Sequence, residues 1–211
     1  MSIAGNSSQW APLFPDGLMS DIITLILDGW STFPKPRRHE HEDPITAKLR
    51  EHLCPAKIQR RLPVTIWLQS LETDRTTGRQ IGRLDIRFLH GYRERVYLAF
   101  ECKRLNVTYP SGKRASLASE YVEEGMMRFV TEQYAGGLDK GGMLGYIMDG
   151  NMTRATRAVR NAIDKRRASL HMKKGESLSC SSLFPKDNRV KETEHRVRRK
   201  GFDIHHVFLA V

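Results

Sequence analysis

The feature that most constrains the fold is a pair of strand patterns separated by a short polar loop. Residues 82–89 alternate apolar and polar side chains, which is typical of a half-buried strand. Residues 95–103 are almost wholly apolar until they end in a Glu-Cys-Lys tripeptide. The loop at residues 90–94 predicts a hairpin connection. The chain must therefore form a sheet in which the second of these strands is buried.

The register of this hairpin predicts which charged side chains meet. Residues two apart in a strand share a face, so Glu101 and Lys103 point to the same side. If residues 92–94 form the tip, Asp85 lies opposite Glu101, with Cβ atoms about 5 Å apart. Two carboxylates and an ammonium group then meet on an otherwise apolar hairpin. That arrangement lowers stability unless a metal ion lies between the carboxylates.

A hard divalent cation fits this set of side chains. Mg²⁺ prefers oxygen ligands and is often held by only one or two carboxylates, together with water and substrate phosphate. Such an ion polarises a phosphoryl oxygen and lowers the pKa of a bound water. Lys103 could orient or deprotonate that water, or stabilise the charge that develops on the phosphorane. We therefore predict that Asp85 and Glu101 bind Mg²⁺, with Mn²⁺ as a substitute, and that Lys103 is catalytic.

At these residues the chain resembles the PD-(D/E)XK nuclease superfamily, in which an acid on one strand is followed by Glu-x-Lys on the next. The matching residues are Asp85 and Glu101-Cys102-Lys103, with fifteen residues between the two acids. The proline that usually precedes the Asp is absent here. The resemblance extends over residues 16–150. It implies an α/β protein of the restriction-endonuclease-like fold, which is a mixed β-sheet flanked by helices.

The resemblance also implies a role for Glu42, because many members of the superfamily use a glutamate of the first core helix as a further metal or water ligand. Glu40 is an alternative for that position. A structural interpretation competes with both: Asp43 before Pro44 is a suitable helix N-cap, and Glu42 would then only favour the helix dipole. We include Glu42 with Lys103 among the predicted catalytic residues.

Positive charge is concentrated towards the C-terminus. Of the net charge of +11, residues 151–200 contribute +10, with 15 Lys and Arg against 5 Asp and Glu. Such a block attracts polyphosphate backbones through counterion release, whatever the sequence of the nucleic acid. A solvated basic stretch is the alternative interpretation. The predicted nucleic-acid-binding residues lie on a helix capped by Asn151 and are Arg154, Arg157, Arg160, Lys165 and Arg166.

The remaining periodicities predict helices on both sides of these strands. The expected elements are helices at 18–30, 43–53 (ending before Pro55), 116–135 (ending at Gly136-Gly137) and 152–167, strands at 64–68 and 143–148, and a closing hairpin of 194–198 and 202–211 around Lys200-Gly201. Gly125 should allow close packing of its helix. Among the histidines of the closing hairpin, His205 and His206 point to opposite faces and so cannot bind one ion together. Structural or substrate-contacting roles are favoured for His195, His205 and His206.

Composition restricts the class of protein. The 211 residues predict a single domain, residues 1–211, whose C-terminal portion at 151–200 is basic. Three cysteines without CxxC spacing indicate reduced thiols and a cytoplasmic location. The sequence has no apolar run near the ~20 residues of a membrane span, so no membrane partner is expected.

Together these patterns predict a Mg²⁺-dependent nuclease that acts on DNA in preference to RNA. The sequence shows no module that would read bases, so a protein partner is expected to supply targeting or activation. That expectation favours the nuclease component of a bacterial anti-phage or DNA-processing system, and it leaves a homodimer open. Two alternatives are a catalytically inactive nuclease-fold subunit that binds nucleic acid or scaffolds a complex, and a basic scaffold unrelated to nucleases.

Overall fold

A mixed β-sheet flanked by helices organises the chain. The computed structural model describes residues 15–73, 77–91, 97–131, 133, 139–197 and 200–211. Within them the sheet has seven strands in the order β1-β2-β3-β6-β9-β8-β7, and β4 pairs with β5 separately. The strands are β1 (Val64–Thr73), β2 (Gln80–His90), β3 (Tyr97–Leu105), β4 (Val107–Thr108), β5 (Arg114–Ala115), β6 (Lys140–Ile147), β7 (Ser179–Cys180), β8 (Val190–Val197) and β9 (Lys200–Ala210).

The helices form a layer on each side of the sheet. They are α1 (Asp16–Thr32), α2 (Glu42–Gln59), α3 (Ala118–Glu120), a π-helix (Tyr121–Met126), α4 (Met127–Val130) and α5 (Met152–Arg166). The first two helices pack on one face, in a core that contains Phe88 and Phe100. The π-helix and α5 pack on the other face, in a core that contains Ala99 and Phe208. Residues 118–130 are helical throughout, with the π-helix in the middle.

The sheet is antiparallel at its ends and parallel in its centre. Strands β1, β2 and β3 pair antiparallel, β3, β6 and β9 pair parallel, and β8 and β7 continue antiparallel beyond β9. The coarse expectation of a mixed α/β sheet flanked by helices is therefore confirmed. The predicted hairpin register is also confirmed, because Ile86 pairs with Phe100. The predicted tip at residues 92–94 lies outside the described residues.

Two predictions about α2 were wrong. The helix begins at Glu42 with His41 as its N-cap residue, so Asp43 lies inside the first turn and is not the cap. The helix also continues through Pro55 to Gln59. Proline removes one donor, which would have bonded the carbonyl of Glu51. Because Glu51 and Pro55 are both exposed, solvent can satisfy that carbonyl and the helix need not end.

Other boundaries also differ from the sequence pattern. The helix predicted over 116–135 is helical at 118–130, and its predicted end at residues 136–137 lies outside the described part of the chain. Strand β1 extends to Thr73, and β6 begins at Lys140. In the closing hairpin Val197 pairs with Lys200, so Lys200 and Gly201 belong to β9 and do not form the turn.

Two predictions from single residues were confirmed. Asn151 caps α5, since its side chain accepts a hydrogen bond from the Arg154 N–H at 2.9 Å. A Cβ atom at Gly125 would lie 2.4 Å from the Met143 Cε, so glycine is what lets the π-helix approach the sheet. Among the described residues, no helix is both long enough and apolar enough to cross a membrane.

Candidate active site

The candidate site lies where β2 and β3 separate. The two strands pair from Leu89 and Tyr97 to Ile86 and Phe100. Two residues after Phe100, the Cys102 N–H donates a hydrogen bond to Oδ2 of Asp85 at 2.7 Å. Two residues beyond that, the Arg104 N–H donates to Oε2 of Glu42 at 3.0 Å. Carboxylates thus accept the hydrogen bonds that backbone carbonyls of β2 would accept in a continuing ladder.

The position of Glu42 follows from the packing of α2. Thr46 lies one turn further along the helix, on the same face as Glu42. Its hydroxyl is 3.1 Å from the hydroxyl of the buried Tyr146 on β6. The Tyr146 hydroxyl in turn donates to Sγ of Cys102 at 3.6 Å. Because these contacts hold α2 against β3 and β6, the first turn of α2 lies beside the end of β3.

Glu101 and Lys103 form the centre of the site. The Lys103 Nζ donates to Oε1 of Glu101 at 3.0 Å and to Oε1 of Glu42 at 3.3 Å. The Arg128 guanidinium, on α4, donates to the same oxygen of Glu101 at 2.6 Å. The Glu101 side chain is fully buried, and that of Lys103 is 13% exposed. We call this set the acidic cluster: Glu42, Asp85, Glu101, Lys103 and Arg128.

One buried oxygen of the acidic cluster has no partner among the described residues. The Glu101 Oε2 is buried and accepts no hydrogen bond within the described part of the chain. The π-helix covers this side chain closely, because a Cβ atom at Gly125 would lie 3.7 Å from the Glu101 Cγ. Single π-helical turns occur frequently at functional sites. A buried carboxylate oxygen without a donor destabilises the fold unless a proton or a cation occupies it.

Burial dominates the electrostatics of the carboxylates. Together with the neighbouring Asp85 carboxylate, it raises the pKa of Glu101 to about 8, against the opposing effect of Lys103 and Arg128. Burial likewise raises the pKa of Asp85 and of Glu42. The cluster therefore favours bound protons at its acids, as expected where three carboxylates face two cationic side chains.

Burial and charged neighbours act in opposite directions on the pKa of Lys103. Burial alone would lower the pKa of Lys103, but the nearby Glu101 and Glu42 outweigh burial and raise it above its ordinary value. The side chain is therefore a charged donor at neutral pH. Of the roles considered for Lys103, orienting a water and stabilising negative charge fit this state, whereas removing a proton from water does not.

The chemistry of the donors fits a hard cation. Asp85 uses one carboxylate oxygen for the Cys102 N–H, and Glu101 keeps Oε2 free of any described donor. Carboxylate oxygens are the ligands that Mg²⁺ prefers, and one or two of them suffice when water and substrate complete the shell. No group of three or more His, Cys, Asp or Glu side chains is arranged to hold a metal ion in the described ranges. Asp85 and Glu101 would provide the two carboxylates of such a site.

A pocket of about 470 Å³ opens beside Lys103. Sequence patterns had not indicated Leu117, Glu120 and Glu124 in its wall, or Arg128 in the cluster. Arg128 could have been predicted from the sequence, because it lies three positions after Gly125 and so shares the helix face that the glycine brings to the sheet. The pocket is lined by His41, Glu42, Asp43, Pro44, Lys103, Arg104, Leu117, Glu120 and Glu124.

Glu40, the alternative to Glu42, is not part of the cluster. Its carboxylate pairs with Lys48 at 2.5 Å and accepts a hydrogen bond from the Arg37 N–H at 3.2 Å. Only the backbone of Glu40 contacts this region, where its carbonyl oxygen accepts from the Arg104 guanidinium at 3.1 Å. The geometry therefore favours Glu42 over Glu40.

The predicted nucleic-acid-binding residues lie on α5, outside the acidic cluster. Buried Ala155, Val159 and Ile163 attach the helix to the core. Exposed Arg157, Arg160 and Lys165 make no ion pair with any described residue. The other two predicted residues do form ion pairs: Arg154 pairs with Asp149, and Arg166 pairs with Glu123 of the π-helix.

A second buried polar group lies between β8, β9 and the π-helix, and we call it the histidine cluster: Tyr121, Thr193, His195 and His206. The Tyr121 hydroxyl is 2.9 Å from Nδ1 of His206, and the Thr193 hydroxyl is 2.9 Å from its Nε2. The same hydroxyl is 2.8 Å from Nε2 of His195, whose Nδ1 is 2.8 Å from the Leu170 carbonyl oxygen.

These distances define one chain of hydrogen bonds for neutral histidines. Nδ1 of His195 must donate to the Leu170 carbonyl, so its Nε2 accepts from Thr193. The Thr193 oxygen then accepts from Nε2 of His206, and Nδ1 of His206 accepts from Tyr121. Burial lowers the pKa of His195 to about 4 and lowers that of His206 as well. His195 and His206 are thus structural in this arrangement.

A scan against protein-family models, a search of curated proteins and a search of solved structures each gave no match.

Proposed function

We propose that this protein is a Mg²⁺-dependent nuclease that hydrolyses phosphodiester bonds in DNA, with a restriction-endonuclease-like fold of the PD-(D/E)XK class. One observation carries the proposal: Asp85, Glu101 and Lys103 come from adjacent strands to a single place where a carboxylate oxygen lacks a donor. Perturbed acids beside a cleft are candidates for function, and this cluster borders the pocket.

Each residue of the cluster has a role in this proposal. Asp85 and Glu101 would hold Mg²⁺, which supplies polarisation of a phosphoryl oxygen and a lowered pKa for a water ligand. The Lys103 ammonium group orients the attacking water and stabilises negative charge that develops on the phosphoryl oxygens. Glu42 holds Lys103 in position through the contact at 3.3 Å. Arg128 neutralises part of the charge on Glu101.

The basic helix supports a nucleic acid as the substrate in preference to a small molecule. Arg157, Arg160 and Lys165 offer exposed cations for a phosphate backbone, independent of base sequence. Backbone contacts give no selection of a target, so a protein partner would supply targeting or activation. We propose the nuclease component of a cytoplasmic bacterial anti-phage or DNA-processing system, with dimerisation left open.

One observation favours a second candidate, a catalytically inactive subunit of the same fold that binds nucleic acid or scaffolds a complex. Lys103 and Arg128 both bond Oε1 of Glu101, so the carboxylate already has cationic partners. In this alternative the acidic cluster serves only to end the β2–β3 ladder.

Cleavage of single- and double-stranded DNA, followed as Mg²⁺ or Mn²⁺ is added to metal-free protein, tests the proposal. We expect turnover that requires the ion and disappears in EDTA, and Asp203→Asn on β9 is the control for loss of a carboxylate. Cleavage that persists in EDTA would overturn the mechanism. Binding of DNA without cleavage at any concentration of either ion would favour the inactive subunit.

The role of α5 is tested separately from cleavage. We expect Arg157→Ala with Arg160→Ala to weaken binding to all sequences alike and to reduce the salt dependence by about two units of slope. Arg154→Ala is the matched control, because Arg154 is engaged with Asp149. An unchanged salt slope in the double variant would mean that the DNA follows another path.

A further inference from the structure

A short hairpin leaves the end of β3 beside the pocket. It consists of β4, a turn and β5, residues 107–115. The Tyr109 N–H donates to the Lys113 carbonyl and the Gly112 N–H donates to the Tyr109 carbonyl, both at 2.8 Å. Lys103 and Arg104 before the hairpin and Leu117 after it line the pocket. Both ends of the hairpin therefore lead into the pocket wall.

The hairpin is held in one orientation at its base. Asn106 and Leu117, which flank it, both have left-handed backbones, with φ of 53° and 55°. Asn adopts a left-handed backbone readily, but at Leu117 it is disfavoured, by roughly 1–3 kcal/mol, and persists where surrounding contacts require it. Here the Asn106 N–H donates to the Ser116 carbonyl at 3.0 Å, and its side chain donates to Asp149 at 2.9 Å. Such retained strain is typical of functional segments.

The surface of the hairpin combines an aromatic ring with exposed cations. Tyr109 is 39% exposed and lies opposite the exposed Lys113 across the hairpin, so the two side chains share a face; Arg114, also exposed, pairs with Thr108. Neither cation forms an ion pair within the described part of the chain, in contrast to Arg154 and Arg166. Residues 107–115 contain no acidic residue. An aromatic face with neighbouring cations is the arrangement that binds unpaired nucleic-acid bases and their phosphates.

We infer that this hairpin binds a single-stranded segment of nucleic acid at the entrance to the pocket. Tyr109 stacks on an unpaired base, and Lys113, on the same face, contacts a flanking phosphate. The segment is unpaired because the face of a base inside a continuous duplex is already covered by its neighbours. The inference rests on the proposed function in one respect, namely that the strand held by the hairpin is the strand that is cut.

Binding without cleavage tests the inference. The probe is a short single-stranded DNA oligonucleotide that carries one 2-aminopurine, titrated in EDTA, with a blunt duplex of the same sequence for comparison. We expect the fluorescence of 2-aminopurine to be quenched on binding to the wild-type protein. Tyr109→Ala should abolish the quenching and weaken binding about tenfold, whereas Tyr109→Phe, which keeps the ring, should retain both.

Matched variants control for exposure and charge. Trp67→Ala removes another exposed aromatic ring, on β1, and should leave quenching unchanged. Lys113→Ala should reduce the salt dependence of binding, whereas Lys186→Ala, at another exposed lysine, should not.

The outcomes separate this inference from the proposed function. Quenching that does not depend on Tyr109, or equal affinity for the blunt duplex, overturns the hairpin as a single-strand site and leaves the nuclease proposal intact. Quenching that depends on Tyr109 in a protein that cleaves nothing supports the hairpin and removes the nuclease proposal. Absence of binding to either probe also overturns the hairpin as a binding site, and the cleavage assay alone then decides the nuclease proposal.

Discussion

Two buried polar clusters lie under the same π-helix and differ in how their hydrogen bonds are completed. In the histidine cluster every ring nitrogen of His195 and His206 has a partner within 3 Å. In the acidic cluster one oxygen of Glu101 has none among the described residues. The histidine cluster consists of neutral groups, whereas the acidic cluster brings together three carboxylates and two cations.

The difference shows how buried polar groups with structural and functional roles can be told apart. A completed network of neutral groups gains stability and fixes the arrangement of its elements. An incomplete network of charges is destabilising by itself, so its retention is explained by a ligand or by a reaction. On this reasoning the histidine cluster holds β8 and β9 to the π-helix, and the acidic cluster is the candidate for chemistry.

The largest expected effect is on cleavage. Asp85→Asn keeps an oxygen for the Cys102 N–H but cannot supply the negative charge that holds the cation. Glu101→Gln likewise cannot ionise when the cation binds. We expect each variant to lower the turnover number about a thousandfold, near 4 kcal/mol of transition-state stabilisation, because a charge that holds the cation is lost. Single-turnover cleavage in excess Mg²⁺ measures the effect. Wild-type rates in either variant would place the chemistry elsewhere.

The next effect is on stability, and here the histidine cluster should be more sensitive to substitution than the acidic cluster. Thr193→Val leaves Nε2 of His195 without a donor and the Nε2–H of His206 without an acceptor, so we expect a loss of about 3 kcal/mol. Glu101→Gln should change stability by less than about 1 kcal/mol at pH 7, because a carboxyl with a pKa of about 8 is already largely neutral there. Urea unfolding measures both, with the exposed Thr65→Val as control.

Equal losses in Thr193→Val and Glu101→Gln would contradict the distinction between the clusters. The acidic cluster would then be a second structural network, in line with the inactive alternative.

Much of this site could be predicted from the sequence, because the hairpin is local. The apolar alternation and the loop length determine the register of Ile86 and Phe100, which brings Asp85 beside Glu101. The bond from Glu42 to the Arg104 N–H could not be predicted, since it forms where β2 leaves β3. The start of α2 was misjudged because Asp43-Pro44 is an equally good local capping pattern.

The histidine cluster shows the limit of local patterns. Thr193 contacts His206 across the β8–β9 pair, and His206 contacts Tyr121 from a helix 85 positions away in the chain. Alternation along β9 indicated that His205 and His206 face opposite sides, which argued against a shared ion. It contained no information on Tyr121, because the contact depends on how the π-helix packs on the sheet.

Stabilisation by Mg²⁺ is a somewhat smaller effect, and we expect it to depend on the acidic cluster and not on the histidine cluster. We expect Mg²⁺ at a hundredfold excess over its dissociation constant to stabilise the wild-type protein by about 2.7 kcal/mol. Thermal unfolding with and without the ion measures this. Glu101→Gln should lose the response, whereas Thr193→Val, although less stable, should keep it. A response that survives in Glu101→Gln would mean that the ion binds elsewhere.

The smallest expected effect is the pH dependence of stability, and its sign differs between the clusters. The pKa of His195 is lowered from its ordinary value of 6.5 to about 4, so its contribution is fully present above pH 6.5 and is lost as the pH falls towards 4. The pKa of Glu101 is raised from 4.5 to about 8, so its contribution is present below pH 4.5 and is lost as the pH rises through 8. The two clusters therefore lose stability at opposite ends of the pH range.

One variant tests the contribution of His195 to the pH dependence of stability. Between pH 6.5 and pH 5 the unfolded state takes up a proton at His195 and the folded state does not, which lowers stability by about 1.5 kcal/mol. His195→Gln should lose less stability than the wild-type protein over this interval by that amount, although its stability at pH 7.5 is lower. Urea unfolding at each pH measures the difference. Parallel pH profiles for the two proteins would mean that His195 titrates normally, and the neutral hydrogen-bond chain from Leu170 to Tyr121 would be wrong.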